Sequence, residues 1–589
     1  IYPGNQARAA FLNDTYQIAD DLTMVKGNHQ FGFGGHAQYW VGDYVSTSRA
    51  NGNWLIDGRV TGSGLGDLLI GRITSIEHGA KNVLNIDNWY LGLYAQDSWR
   101  LSSRLTLNFG MRWEPYFGQN VLNNAVSIFD MENFQRGIKS TVFLNAPAGL
   151  IYPGDEKFPA GQTGLNKQWW NLSPRGGFAW DVRGDGRLSV RSSYSMGYDF
   201  MSGEYHNINA GAPPFGNRSI INDPAGLMDD PYRTTAGGDP HPIVTGPNTS
   251  YVQFGSFGTM DPDINSNRIQ SWNFTVEQQI GSDWGVSAAY LGSHSDRLWY
   301  QLALNPGVFM GLGPCTLNGV AYPVCSTNAN LNQRRLLYQQ NPREAQFIGP
   351  LDLNTDIGWQ NYHGIKLAAV RRAVNGISLN GNYTLSQCRG TPQNPRFNQT
   401  SGGYQKLDDP SFDEGYCDQD RRHLVSLSVG YETPAFERPA LRVIGSHWRF
   451  SGIVNARSGA RLNIESGLDN AFSGIRYQRP NQVSDDFYTK SLTSYFNRDA
   501  FAQPAAGTLG DLPRNAVVGP HYWNVDLAMS RLIAMGATQR LELRLESFNL
   551  LNHFNWGDPL LIFNAPTFGR ITTQTGAPRI IQFGVKYDF

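Results

Sequence analysis

The stretch RLTLNFGMRWEPY, residues 104 to 116, alternates without a break: Leu105, Leu107, Phe109, Met111 and Trp113 share one parity, and Thr106, Asn108, Gly110, Arg112 and Glu114 share the other. Successive side chains of a strand point to opposite faces, so the pattern predicts a strand with one apolar and one polar face. A soluble sandwich uses such strands, and so does a membrane barrel. The polar face here carries an Arg, a Glu and a Gly, and the apolar face ends in a Trp, as expected where one face meets lipid and the other a wet lumen.

Composition narrows the choice. The 589 residues are only 16% charged, against about 25% in ordinary soluble domains, and carry 65 Gly, 12% aromatics and a formal net charge of -1. The alternating pattern recurs from end to end with no Pro- or Ser-rich linker, which predicts one continuous architecture rather than a string of domains. No basic stripe or tail is present, so no nucleic-acid partner is expected. No run reaches the roughly 18 apolar residues of a membrane helix. The opening IYPGNQARAA starts on Ile and has neither a basic n-region nor an apolar h-region, from which a processed or truncated chain is expected.

Strands come in pairs around turn residues: Gly27 and Asn28, Ser102 and Ser103, Gly184 to Gly186, Gly281 to Asp283, and Asn375 and Gly376. Two further pairs lie in RRHLVSLSVGYETPAFERPALRVIGSHWRFSGIVNARSG and YWNVDLAMSRLIAMGATQRLELRLESFNL, and the first strand is expected from about Tyr16 to Val25. Gly, Asn, Asp and Ser are what tight hairpins require. Between the pairs run far longer segments, such as 117–170 and 200–265. Short turns at one end and long loops at the other are the asymmetry of outer-membrane barrels, and a sandwich has no reason to sort its loops this way.

The chain closes on RIIQFGVKYDF, with Ile581, Phe583, Val585, Tyr587 and Phe589 on one face and Gln582, Gly584, Lys586 and Asp588 on the other. This resembles the terminal strand of bacterial outer-membrane proteins. The resemblance makes Phe583, Val585, Tyr587 and Phe589 a signal for the barrel-assembly machinery. Six further segments, YQIADDLTMVKGNHQFGFGG, GLGDLLIGRITSIEHG, GLYAQDSWRLSSRLTLNFGMRWEP, SPRGGFAWDVRGDGRLSVRSSYSMGYD, DRRHLVSLSVGYETP and LELRLESFNLLNHFNW, resemble segments of large TonB-dependent receptors in that family's order. These are the class that usually carries a carboxypeptidase-regulatory-like domain before the plug. The resemblance implies an all-β transmembrane antiparallel barrel of twenty-two strands around a plug, driven by the inner-membrane TonB complex, in the outer membrane of a Gram-negative-type bacterium. That barrel size is the one associated with plugged transporters.

No plug, TonB box or regulatory domain is recognisable in the sequence. Seven pairs and the terminal strand give roughly fifteen strands of the expected twenty-two. Residues 1–589 are therefore expected to be the C-terminal part of a receptor barrel, with an ascending strand required before the first one to keep the strand number even.

Four cysteines allow three pairings, and proximity favours Cys315 with Cys325 and Cys388 with Cys417, each stapling an extracellular loop. The absence of CxxC spacing and the exported location argue against zinc. Arg112, Glu114, Glu542, Arg544 and Glu546 alternate with apolar neighbours and are expected to face the lumen, pairing across it or touching a plug. Trp40, Trp89, Trp113, Tyr290, Trp299 and Tyr587 are expected in the interfacial girdles. The acidic run DDPSFDEGYCDQD, 408 to 420, reads as a solvated loop rather than a cation site. DPDINSN, 261 to 267, fails as a calcium loop, with Ser266 in place of the Gly and Trp272 in place of the Glu. GSGLGD and GFGG lack a nucleotide fingerprint, no HExxH or GxSxG occurs, and His423 has no identified partner for acid-base work.

No enzyme, cofactor or metal is expected. The function implied by the resemblance is energy-coupled passage of a large, unidentified solute through a plugged barrel, with outer-membrane lipid and the TonB complex as partners. A surface adhesin using the barrel as a scaffold, or a passive porin, is the alternative.

Overall fold

The two-residue period of residues 105–113 is written along fifteen long strands in the computed structural model, which describes residues 9–47, 49–50, 52–200, 206–235, 237–239, 241, 245–391, 401–536 and 538–589. They are β1 (Ala9–Lys26), β2 (His29–Ser46), β3 (Asn82–Arg100), β4 (Leu105–Trp113), β5 (Leu172–Asp181), β6 (Leu188–Asp199), β7 (Asn267–Ile280) and β8 (Trp284–Ala303). They continue as β9 (Ile348–Val374), β10 (Ile377–Gly390), β11 (His423–Glu432), β12 (Trp448–Arg457), β13 (Tyr522–Ala534), β14 (Arg540–Phe548) and β15 (Ile580–Asp588). Residues 1–8, where processing was expected, lie outside the described residues.

Every strand pairs antiparallel with its neighbour in sequence, from β1 with β2 to β14 with β15. This is the up-and-down order of an antiparallel transmembrane barrel. Among the described residues no pairing joins β1 to β15. β1 starts earlier than the sequence pattern suggested, because it pairs residue for residue with β2 from Lys26 opposite His29 to Ala9 opposite Ser46.

Register carries the alternation across the sheet. Between β3 and β4, Ala95 lies opposite Met111 and Trp99 opposite Leu107, whereas Tyr94 lies opposite Arg112. Between β14 and β15, Leu541, Leu543 and Leu545 lie opposite Tyr587, Val585 and Phe583, whereas Glu542 lies opposite Lys586 and Glu546 opposite Gln582. One face is thus mainly apolar, broken by Asp97 opposite Phe109, and the other is polar, and a slip of a single residue would exchange them. Phe583 is 82% exposed. A single-layer sheet leaves such a side chain uncovered unless lipid covers it.

The hairpins open at one end on the expected short turns. Asn375 and Gly376 have φ of 51° and 77°, the pair of positive values a two-residue type I′ turn needs, and a Cβ on Gly376 would collide with the Glu432 carbonyl oxygen. One connection departs from the expectation of tight turns: β11 and β12 are joined by residues 433–447, which hold the helix Pro439–Gly445. Pro439 sits in the first turn of that helix, where its missing N–H costs nothing. At the other end lie the long loops 47–81, 114–171, 200–266, 304–347, 391–422, 458–521 and 549–579. No helix among the described residues is long and apolar enough to cross a membrane, which says nothing about crossing by strands.

Candidate functional site: the loop layer and its cavity

Residues that a water-soluble protein would bury are gathered at the loop end of the sheet. One cluster joins Phe134 and Tyr152, Phe257, and Leu337 from three successive loops. A second joins Ile464, Phe496 and Val517 to Phe568 across the last two long loops. A third packs Val121 and Ile128 onto Leu84 and Ile86 at the outer end of β3. Burying each large apolar side chain contributes roughly 1.5–3 kcal/mol, so the loops form a folded layer with a core of its own.

Within this layer is a cavity of about 740 Å³, bounded by the loops that follow β2, β6, β8, β10 and β12. Its wall includes a small three-stranded patch in which Ser75–His78 pairs with both Asn53–Leu55 and Ser219–Asn222. Glu77 projects from the central strand. Its carboxylate takes a hydrogen bond from Arg49 Nε at 2.8 Å and a closer ion pair with Arg218, whose side chain is 3% exposed. Burial works to raise the Glu77 pKa; Arg218 and Arg49 more than reverse this and hold it at about 2. Arg218, buried beside it, is pulled down to about 10 despite that partner. On the facing wall Arg335 donates to the Asn305 carbonyl at 2.6 Å, and Asp469 accepts from Gln478 Nε2 at 2.6 Å. Arg476 also lines the cavity, is exposed, and forms no ion pair among the described residues. The space suits a large polar solute, with Arg476 available to an anionic or carbonyl group, Glu77 neutralised by Arg49 and Arg218, and Arg335 and Asp469 held by neutral hydrogen-bond partners.

Asp352 lies near the outer end of β9, far from the turn at which that strand leaves the membrane. It is 1% exposed, accepts from the Ser401 backbone N–H at 2.5 Å, and has no partner for its second carboxylate oxygen among the described residues. Burial raises its pKa to about 7, against the opposing pull of that hydrogen bond and of Arg335.

The sequence-singled residues fall in several places. Cys315, which opens the hairpin of Cys315–Leu317 and Val320–Tyr322, is bonded to Cys325 just past that hairpin, and Cys388 is bonded to Cys417 at the base of loop 391–422. Arg112 Nε donates to Glu114 Oε1 at 2.7 Å and Arg112 Nη2 to Tyr90 OH at 2.7 Å; Arg544 Nη2 is 2.9 Å from Glu546 Oε1, and Glu542 is opposite Lys586. Arg112 and Arg544 thus pair with Glu114 and Glu546 along their own strands, because residues two apart share a face and their side chains reach each other. His423 Nδ1 is 2.8 Å from Tyr383 OH and stacks on that ring, a structural setting rather than an acid-base one.

Two expectations are corrected. The acidic run 408–420 is not uniformly solvated: Asp413 and Asp420 are 1% and 3% exposed and pair with Arg479 and Arg461, both from the next long loop. Trp299 is not a girdle residue. Trp299 is 3% exposed, packs with Tyr116 and Ile264, and donates to the Asn265 carbonyl at 2.6 Å, because β8 runs on into the loop layer. Trp40 packs on the Leu84–Ile86 cluster. Trp89, Tyr290 and Tyr587 remain exposed on the strands.

Glu77, Arg49, Arg218 and Arg476 went unnoticed in the sequence. Arg49 is 28 residues from Glu77, and Arg218 comes from a different loop, so no short motif marks the site.

Against known proteins, a family model described as "Outer membrane beta barrel domain" matches residues 1–582. No curated protein matches the sequence. Among solved structures, the outer membrane transporter YddB from Escherichia coli is similar at 12% identity and a TM-score of 0.46, over 99% of this chain and 55% of that one. The ferripyoverdine receptor of the outer membrane of Pseudomonas aeruginosa gives 11%, 0.45, 100% and 50%, and the FrpB iron transporter from Neisseria meningitidis gives 10%, 0.44, 99% and 55%. The chain thus spans about half the length of the structures it matches.

Proposed function

This chain belongs to the outer membrane β-barrel family and lies in the bacterial outer membrane, and on that premise we propose that it forms the C-terminal barrel portion of a TonB-dependent receptor that moves a large solute across that membrane. The observation that carries the reading is the cavity of about 740 Å³ walled by loops from hairpins far apart in the sheet. A solute held there contacts several loops at once and stands over the polar face of the strands. A passive porin gains nothing from a folded layer with its own hydrophobic clusters across its outer end. The six family-like segments and their order support the TonB assignment.

In this reading the loops capture the solute, the polar residues Arg112, Glu114, Glu542, Arg544 and Glu546 line the path, and force from the inner membrane reaches a plug held in the lumen. The edges of β1 and β15 that carry no partner among the described residues are filled by further strands, since open edges in hydrocarbon leave backbone groups unsatisfied at a cost of several kcal/mol each. The C-terminal strand, with Phe583, Val585, Tyr587 and Phe589, engages the barrel-assembly machinery.

The test is uptake by cells expressing the protein from its whole reading frame, with and without an intact TonB system, using fluorescent ferric siderophores, oligosaccharides and peptides as probes. Uptake of one probe class that requires TonB and is weakened by Arg476→Glu supports the reading. Flux of all small probes regardless of TonB would make the protein a porin, and no flux of any probe would leave the adhesin-like scaffold.

A further inference from the structure

We propose that the loops following β2 and β6 are clasped together by a divalent transition-metal ion, with zinc as the fitting species, held by His78, His241 and Asp239. One potential ligand atom from each of the three side chains lies within 4.8 Å of the others. The two imidazole rings have centroids 4.3 Å apart and are inclined at 51°. The residues come from different loops, His78 from the end of the strand Ser75–His78 and the other two from the segment after Tyr232.

Three features separate this cluster from a chance meeting of polar groups. Both ring nitrogens of His241 are buried and have no hydrogen-bond partner among the described residues. A buried imidazole with neither nitrogen satisfied is costly, and an ion bound to one of them removes part of that cost. His78 has one nitrogen free of a proton: Nε2 lies 3.3 Å from the Ala50 carbonyl oxygen, which can only accept, so Nε2 carries the proton and Nδ1 keeps its lone pair. That nitrogen is 2.8 Å from the Tyr232 hydroxyl, which donates to it and yields the lone pair when an ion enters. Asp239 is likewise held in place, its Oδ1 accepting the His241 backbone N–H at 3.0 Å.

Two imidazoles and one carboxylate form a donor set that matches Zn²⁺, whose sites take such ligands in fours with a water or hydroxyl completing the shell. Calcium and magnesium prefer all-oxygen shells, and copper(I) prefers sulfur. The position gives the ion a consequence. Ser75 and Glu77, on the same strand as His78, and Asn222, from the loop that supplies His241, all line the large cavity. An ion at this point fixes two walls of the cavity relative to each other.

The test titrates Zn²⁺ into the protein, expressed from its whole reading frame and purified in detergent after chelator treatment, with a chromophoric chelator as competitor. Co²⁺ then serves as a spectroscopic probe of the ligand set. One Zn²⁺ per chain is expected, with at least tenfold weaker binding in His241→Ala and in His78→Ala. A smaller loss is expected in Asp239→Asn. Zn²⁺ should also slow proteolysis of loop 200–266 in the wild type and not in His241→Ala. Heat-modifiable migration on gels checks that each variant still forms the barrel. Sub-stoichiometric binding by the wild type, or unchanged binding in a folded His78→Ala/His241→Ala variant, would overturn the proposal.

Discussion

Arg479 and Asp413, 66 residues apart, form an ion pair in which both side chains are almost completely buried between the loops after β10 and β12. Asp413 also accepts the Gln405 backbone N–H at 2.6 Å, and Arg479 donates to the carbonyls of Leu512 at 2.8 Å and Phe412 at 2.9 Å. The pair is fully satisfied, which is the condition under which burying two charges is tolerable. Replacing Arg479 with Met leaves Asp413 as an uncompensated buried charge. The loop layer should lose about 3–5 kcal/mol, read as faster proteolysis of loops 391–422 and 458–521. The double variant Arg479→Met/Asp413→Leu should recover most of that loss. If the single variant is as resistant as the wild type, the pair is not buried as described.

Asp352 predicts a pH dependence of the opposite sign to that of most carboxylates. Its folded pKa, near 7, lies above the ordinary value of 3.8. Below about pH 4 both folded and unfolded forms are protonated, and the contribution of this group is complete. As pH rises toward 7 the unfolded form ionises first, so stability is progressively lost, on the order of a few kcal/mol across that window. Urea denaturation of the loop layer at pH 4.5 and 7.5 should show the difference, and Asp352→Asn should flatten it. A flat profile in the wild type would mean that Asp352 ionises freely in the folded protein.

The apolar and polar faces of β4 can be separated by one charge. Phe109 and Met111 are exposed on the band that we assign to lipid, and Asn108 points the other way. Phe109→Arg should cost about 2–4 kcal/mol if the site is near the midplane, whereas Asn108→Arg should be tolerated. Refolding yield into lipid vesicles measures both, and equal yields would reverse or abolish the assignment of faces.

The Cys388–Cys417 bond closes a segment of 29 residues. Chain-entropy arithmetic for that length gives about 3–4 kcal/mol of stabilisation. Cys388→Ala/Cys417→Ala should lower the denaturation midpoint of loop 391–422 more than Cys315→Ala/Cys325→Ala lowers that of its own hairpin, where the separation is only 10 residues. Non-reduced peptide mapping should recover both linkages. Alkylation of all four thiols without reductant would contradict them.

Most of the sheet was legible because its signals are local. Period-two alternation and turn residues within two or three positions mark each hairpin, so the strands and their pairing order follow from short windows. The one long connection, with helix Pro439–Gly445, escaped because the exposed apolar residues Leu441, Val443 and Ile444 give no strand-like alternation to stop on. The loop layer was illegible for a different reason. Its partners are distant: Arg479 meets Asp413, Glu77 meets Arg218, and His78 meets His241, with no motif linking any pair. Trp299 misled because an aromatic on a strand has the same local pattern whether that part of the strand is in the interface or beyond it.

The separation of the hydrophobic clusters from the strands that carry them means that the molecule has two solvents and two sources of cohesion. Water drives the outer layer together, as it would any aqueous domain, while the inner band is held by its hydrogen-bond ladder and by whatever hydrocarbon surrounds it. Urea and detergent should therefore dismantle different halves, and mutation can remodel the cell-surface half over evolutionary time without renegotiating the terms on which the other half sits in its membrane.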